Sequence, residues 1–400
     1  MKPRPCTHLC SPSLDTSMSS SEAGPPGGTG AALSSSGSRP GGKCVETLSW
    51  QAAATIEPQT IAHRRPHVMA STILTAARLA VCKDTVVMRE ARRDEPTEQF
   101  GPYLLYECLG RGGMATVHRA KKQGIEGFER PVALKRMLPW LSADADFVKS
   151  FVREARLAAQ LRHTNIAQVY DLGKVDGAYY IAMELVAGRD LREILRQAHH
   201  VCGPPPVSVA INLLFQVCDA LDYAHTFKDE QGRPLGLVHR DISPANIIVG
   251  EDGIAKIVDF GVAKGTTNTL ATQSGMLKGK FSYMAPEMLN GQVDARSDLF
   301  AVGIVAWEML TARPLFSGGD DMEVLQRIAT WDPPPPSSVN GAVPRDLDAW
   351  LAMALNKDPR KRFQSAAQMR AGLELVARTP QLRASAPDVA GWVAWGMAQK

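Results

Sequence analysis

Between residues 100 and 377 the chain changes from one hydrophobic rhythm to another. Five short runs of β-type patterning come first, at 103–109, 115–120, 132–137, 167–172 and 179–185. One helical stretch, 144–161, interrupts them. Its apolar residues Phe147, Phe151, Ala158 and Leu161 recur at the spacing of a single helix face. Ser142, Asp144 and Asp146 suit its start, where short polar side chains cap free N–H groups and acidic ones complement the dipole. After Gly188 the pattern predicts helices over 190–198, 207–226, 295–310, 321–329, 344–355 and 366–377. An irregular stretch, 230–290, lies between the second and the third, and Pro333 to Pro336 form a loop. Strands first and helices afterwards predict an α+β body of two lobes. The small β-rich lobe (103–186) holds one helix, the larger helical lobe spans 187–377, and a short tail (378–400) is expected to pack back on the body through Trp392 and Trp395. No internal repeat is visible.

Residues 1–95 read differently. Residues 11–42 are dominated by Ser, Gly, Pro and Ala. Such a segment cannot bury enough surface to offset its ordering entropy, so this extension is expected to be disordered. The apolar window 68–82 reads either as a transient helix of that extension or as a docking or membrane-surface element. Met69 and Met88 are alternative starting residues, since nothing after Met88 depends on what precedes it.

Composition narrows the function classes. The chain has 400 residues, 44% apolar and 22% charged, which is enough for a sizeable core. Its 45 basic and 41 acidic residues balance to +4, which argues against nucleic acid or an anionic membrane as the main partner. Seven cysteines are scattered without a CxxC pair, an arrangement suited to a reducing cytosol rather than to a zinc ribbon or a disulfide framework. The window 68–82 is interrupted by Arg78, and 299–310 is far short of the roughly 20 residues a spanning helix needs. The N-terminus begins Met-Lys-Pro-Arg-Pro and lacks the apolar run of a secretory signal. A soluble, cytoplasmic protein is expected.

The candidate chemistry starts at Gly110-Arg111-Gly112-Gly113, followed by Met-Ala-Thr-Val117. Glycines there let backbone N–H groups approach phosphate oxygens, although glycine clusters are more often simple turns. The flanking strands predict a hairpin lid. A dinucleotide fingerprint would need a helix to follow, and a Walker loop would need Gly-Lys-Ser/Thr; neither is present. In the run 132–135, Ala133 and Lys135 share a strand face, so a small residue sits beside an ammonium. Glu154 falls on the inward stripe of helix 144–161, where a carboxylate needs a cation; Lys135 is the obvious one, and solvent at the stripe's edge is the alternative.

The middle of the chain is decisive. His239-Arg240-Asp241 is followed by Asn246, then Asp259-Phe260-Gly261, then Ala285-Pro286-Glu287. With the glycine loop, the strand lysine and the helix glutamate, six motifs stand in the order and spacing of the protein-kinase signature. Over residues 103–377 the chain resembles the eukaryotic-like Ser/Thr protein kinases of bacteria. The resemblance implies a two-lobed protein-kinase fold, Mg-ATP as the phosphoryl donor, and Ser or Thr hydroxyls of a protein as acceptor. It assigns Asp241 to the acceptor hydroxyl, Asn246 and Asp259 to Mg²⁺, and Lys135, steadied by Glu154, to the α- and β-phosphates. The glycine loop covers the nucleotide. The linker Met183-Glu184-Leu185-Val186 meets the adenine edge with Met183 as gatekeeper, while Leu109, Val117, Ala133 and Ile248 sandwich the ring. Asp298 resembles the buried anchor of the catalytic loop, and Glu287 is expected to pair with Arg362.

Three departures from the pattern stand out. Ala115 replaces the third glycine of the loop, which a negative φ tolerates. Ser243 stands where a lysine usually steadies the γ-phosphate, and Lys280 replaces a threonine that usually touches that lysine. A relocated charge, with Lys280 as a catalytic cation, is one reading; a solvated lysine and weaker catalysis is the other. By the same resemblance, Arg240 implies activation by phosphorylation of the segment 261–284 in a transient homodimer, with Thr272 or Ser274 as the expected site; a Thr-rich loop without modification is the alternative. An ATP-binding scaffold without phosphotransfer is the main alternative. A small-molecule kinase fits less well because the Ala-Pro-Glu element implies a protein acceptor. A tyrosine-specific enzyme fits less well because no Ala-Ala-Arg or Arg-Ala-Ala follows Asp241.

Overall fold

The computed structural model describes residues 95–260, 281–318 and 320–399. The small lobe is one antiparallel sheet of six strands, β1 (Glu98–Phe100), β2 (Tyr103–Arg111), β3 (Ala115–Gln123), β4 (Glu129–Met137), β5 (Val169–Val175) and β6 (Ala178–Glu184), in the order β1-β2-β3-β4-β6-β5. Helix α1 (Ala145–Ala158) lies between β4 and β5 in the chain. Asp144 caps it by accepting from the N–H groups of Asp146 and Phe147, as its sequence implied. Its Phe151 and Ala155 pack with Ala133, Met137, Ile181 and Met183 of the sheet. The opposite face of the sheet has its own core around Tyr103, Leu105, Leu134 and Tyr180.

The large lobe is helical: α2 (Leu191–Gln197), α3 (Val207–His225), α4 (Ala295–Thr311), α5 (Asp321–Thr330), α6 (Arg345–Ala354), α7 (Ala366–Val376) and α8 (Ala386–Ala398). Every residue of α4 from Ser297 to Thr311 is buried, so the lobe is built around this helix. Helix α3 is, among the described residues, the one helix long and apolar enough to cross a membrane. Most of it is buried in the same core, the setting of a core helix in a folded lobe.

Two features depart from the sequence pattern. The stretch 230–290 is not wholly irregular: β8 (Ile247–Gly250) and β9 (Ala255–Ile257) form, with β7 (Gly188–Asp190), a small sheet in the order β7-β8-β9. The tail forms a helix, α8, that the pattern did not predict; Val389 and Val393 are buried against the lobe and Trp392 packs there as expected, while Trp395 is 51% exposed. Asn212 Nδ2 donates to the Ala384 carbonyl at its start, and Gln197 Nε2 donates to the carbonyls of Gly396 and Gln399 at its end.

Candidate active site

The glycine loop is the tip of the β2–β3 hairpin, as the flanking strands predicted. Gly110 pairs with Val117 and Arg111 with Thr116, and the Gly112 N–H closes the turn on the Ala115 carbonyl at 2.9 Å. Ala115 is buried in β3 opposite Met137 and is not among the residues of positive φ, so its Cβ is accommodated. Leu109, at the hairpin's entry, is 50% exposed.

Strand register lines up the next residues. Lys135 lies opposite Val117 on one side and Ile181 on the other, and Ala133 lies opposite Met183. Ala133 and Met183 are thus neighbours on the face that packs on α1. Lys135 Nζ reaches Glu154 Oε1 at 3.3 Å and Asp259 Oδ1 at 2.9 Å. The side chains of Lys135 and Glu154 are only 15% and 14% exposed. Burial pulls the ammonium's pKa down, but Asp259 and then Glu154 outweigh it and hold it above the ordinary lysine value. The pair predicted from sequence is formed, and Asp259 joins it. Behind it is a cavity of about 20 Å³ whose lining includes Glu154, Ala155, Met183, Asp259 and Phe260.

The catalytic loop is held from below. Asp298, 1% exposed at the start of α4, accepts from the backbone N–H of His239 at 2.7 Å and of Arg240 at 2.8 Å. It also meets His225 Nε2 at 2.9 Å. Two fixed N–H donors orient the loop and let Arg240 take a φ of 66°, a conformation that costs a side-chain-bearing residue of order 1 kcal/mol. His239 Nε2 meets the Val258 carbonyl at 3.1 Å, so it carries the proton, and Nδ1 accepts from the Asp241 N–H at 3.2 Å. Its ring lies 4.7 Å from that of Phe260, coupling the two motifs.

Asn246 Nδ2 donates to the Asp241 carbonyl at 2.7 Å and to its carboxylate Oδ2 at 3.1 Å. The Asn246 carbonyl accepts from the Val258 N–H at 3.0 Å, which ties the loop to the segment carrying Asp259. Asp259 sits at φ 56°. The amide nitrogen of Asn246 is spent on Asp241 and Asp259 Oδ1 is spent on Lys135. The Asn246 side-chain oxygen and Asp259 Oδ2 are therefore the atoms left for a cation, and hard oxygen donors suit Mg²⁺. Among the described residues no group of three His, Cys, Asp or Glu could hold a metal alone.

Ile248 is half-buried on β8, and Glu184 ends β6 where the linker Leu185-Val186 begins. Lys280, Gly261, Thr272 and Ser274 lie outside the described residues. Ser243 opens the 3₁₀ turn Pro244–Asn246 in extended conformation, its carbonyl accepting from the Asn246 N–H. Further out, Glu287 and Arg362 form the expected pair, bidentate at 2.7 Å for both contacts. Two bonds escaped the sequence pattern: Lys256 to Glu184 at 3.1 Å, and Tyr283 Oη donating to Glu308 Oε2 at 2.8 Å.

The sequence profile of the protein kinase domain matches residues 103–371. Among similar proteins, the tyrosine-protein kinase MasK of Myxococcus xanthus is 41% identical over 291 residues, 72% of this chain and 45% of MasK. The serine/threonine-protein kinase PknB of Mycobacterium leprae is 38% identical over 277 residues, 68% of this chain and 42% of PknB. This chain thus spans less than half the length of these two relatives. Among solved structures, the PknI kinase domain of Mycobacterium tuberculosis superposes with a TM-score of 0.54 at 28% identity, covering 71% of this chain and 98% of that domain. With the profile matched over residues 103–371 and relatives of this kind at about 38–41% identity, this chain belongs to the protein kinase family, in its eukaryotic-like bacterial branch.

Proposed function

We propose that the chain is a Mg-ATP-dependent serine/threonine protein kinase of the cytoplasm that acts in signalling. One observation carries the reading: Lys135 is held jointly by Glu154 and Asp259, while Asn246 binds Asp241 and is tied to the strand leading to Asp259. A scaffold without phosphotransfer has no use for this full set. ATP supplies the γ-phosphoryl group and Mg²⁺ offsets its charge. Asp241, oriented by Asn246, aligns the acceptor hydroxyl and takes its proton. Lys135 fixes the nucleotide's phosphates, and its strengthened charge stays on at all physiological pH. The hairpin tip 110–113 covers the nucleotide and excludes water.

Arg240 Nε is buried without a hydrogen-bond partner among the described residues. This supports activation by a phosphate on the segment 261–284, introduced by a second copy in a transient dimer. Lys280 is proposed as the cation that replaces the one missing at Ser243. If Lys280→Ala costs no more activity than Lys278→Ala, that relocation is wrong.

A tyrosine acceptor is the second reading, favoured by the similarity to MasK. Phosphosite mass spectrometry after incubation with Mg-ATP, beside Asp241→Asn, tests both. Asp241-dependent phosphate on Ser or Thr supports the first reading, and phosphate on Tyr alone replaces it with the second. Nucleotide binding without any Asp241-dependent phosphate would return the scaffold reading to first place.

A further inference from the structure

Glu184, where the small lobe's sheet ends and the linker begins, spends its carboxylate on two partners. Oε1 lies 3.1 Å from Lys256 Nζ, and Oε2 accepts from the Gln168 N–H at 3.2 Å. Its own N–H donates to the Gln168 carbonyl at 2.8 Å. Lys256 stands on β9, in the large lobe's sheet, three residues before Asp259. Its ammonium also donates to the Thr164 carbonyl at 2.7 Å. Thr164 belongs to the loop that leaves α1, the helix of Glu154. That loop is stitched to β9: the Ile257 N–H donates to the Asn165 carbonyl at 2.8 Å, the Ala167 N–H donates to the Ile257 carbonyl at 3.0 Å, and Asn165 Nδ2 donates to the Ala255 carbonyl at 2.8 Å.

One ammonium therefore joins three segments: the linker, the loop after the helix of Glu154, and the strand leading to Asp259. The pair is shielded, with side chains 17% and 26% exposed, so solvent screens it less than a surface pair. A nucleotide must meet the linker with its base and Asp259 with its phosphate end. Binding then depends on the spacing between those two segments, and small misplacements of bound groups are costly.

We propose that Lys256 is a positioning residue for nucleotide binding, fixing the linker through Glu184 against the strand that delivers Asp259. The proposal rests on the kinase reading above. Lys256→Met keeps the apolar stem and removes the charge. Binding of a fluorescent ATP analogue is measured in the Asp241→Asn background, so the readout needs no turnover. With Asp241 restored, the KM for casein as a generic acceptor is measured beside it. We expect Lys256→Met to weaken analogue binding about fivefold to tenfold, the size of one net hydrogen bond, because the residue acts on the nucleotide only through the linker. The casein KM changes by less than about twofold, because the acceptor does not span the two braced segments. Lys256→Arg restores binding. Glu184→Gln weakens it comparably, and the double variant is no worse than either single one, because both act through one bond.

The proposal is overturned if the analogue binds Lys256→Met as tightly as the parent chain. It is also overturned if analogue Kd and casein KM rise together, which marks a general loosening. Should Lys256→Met fail to fold, Glu184→Gln against Lys256→Arg decides the same question. A parent chain that binds the analogue yet phosphorylates nothing would instead refute the kinase reading and leave this test standing.

Discussion

Arg362 has no exposed side-chain surface and Glu287 only 9%. The guanidinium gives two parallel bonds to the carboxylate at 2.7 Å. Its remaining donors go to the carbonyls of Asn356 at 2.6 Å, Arg296 at 3.2 Å and Lys357 at 3.2 Å, and its plane lies 4.7 Å from the Phe300 ring centre. Glu287 also accepts from Ser297 Oγ at 2.9 Å. Arg362→Met removes the cation, keeps much of the volume, and leaves a buried carboxylate and three carbonyls short of a donor. Breaking a buried pair in this way costs about 3–5 kcal/mol. For a domain of this size each kcal/mol lowers the melting midpoint by about 2–4 °C, so a fall of about 6–20 °C is expected.

Glu287→Gln should cost less, because the guanidinium keeps its three carbonyls and the amide oxygen still accepts. Calorimetry or urea titration of both single variants and the double variant closes the cycle, and a coupling of about 1–3 kcal/mol is expected. Affinity for the fluorescent ATP analogue should stay within about twofold, since the pair braces the large lobe and no part of the nucleotide grip. A midpoint change under about 3 °C for Arg362→Met, or a coupling under about 0.5 kcal/mol, would refute the claim that this pair holds the lobe together.

Two further outcomes follow from the same lobe. Burial pushes the Glu308 carboxyl up to about 7, against bonds from the Leu315 N–H and Tyr283 Oη that favour its ionised form. The folded state then holds this proton more tightly than the unfolded one. The contribution is present in full below the ordinary glutamate range and is lost as pH rises to about 7, roughly 3 kcal/mol in all. Urea midpoints measured across that window should show a slope in the parent chain that is missing in Glu308→Gln; equal slopes in the two would exclude Glu308 as its source. Gly253 has a φ of 79°, and a Cβ there would overlap the Ala386 carbonyl at the start of α8. Gly253→Ala should cost about 1–3 kcal/mol and expose the tail to limited proteolysis, whereas an unchanged digestion pattern would show that α8 does not depend on this contact.

The site was legible where chemistry fixes both residue type and spacing. Asp241, Asn246, Asp259 and Lys135 could be located because they stand in motifs shared with a known family, and the fold brings Lys135 to Asp259 and Asn246 to Asp241. Glu154 was legible for a different reason: a carboxylate on an otherwise apolar helix stripe must be matched by a cation. What escaped has physical causes of its own. Strands β7, β8 and β9 are three or four residues long, too short for alternation to stand out from noise. Helix α8 is apolar on most of its surface, so it shows little amphipathic period, and its local signals were confined to its start, a capping box at Ser385 and Asp388 and Pro387 in the first turn. Arg240 and Asp259 adopt left-handed backbone without being glycine, which no composition rule foretells.

Lys256 and Glu184 are 72 positions apart, and each alone looks like an ordinary solvated charge. Their pairing follows from register. Ile257 is stitched to Asn165 and Ala167, and Glu184 to Gln168, and these backbone bonds bring the two side chains to one place. The residues that perform chemistry are thus written locally, and the residues that set distances between them are written in how strands and loops pair. A substitution that spares every motif can therefore still change how the nucleotide is held, and the Lys256→Met comparison is built to detect that kind of change.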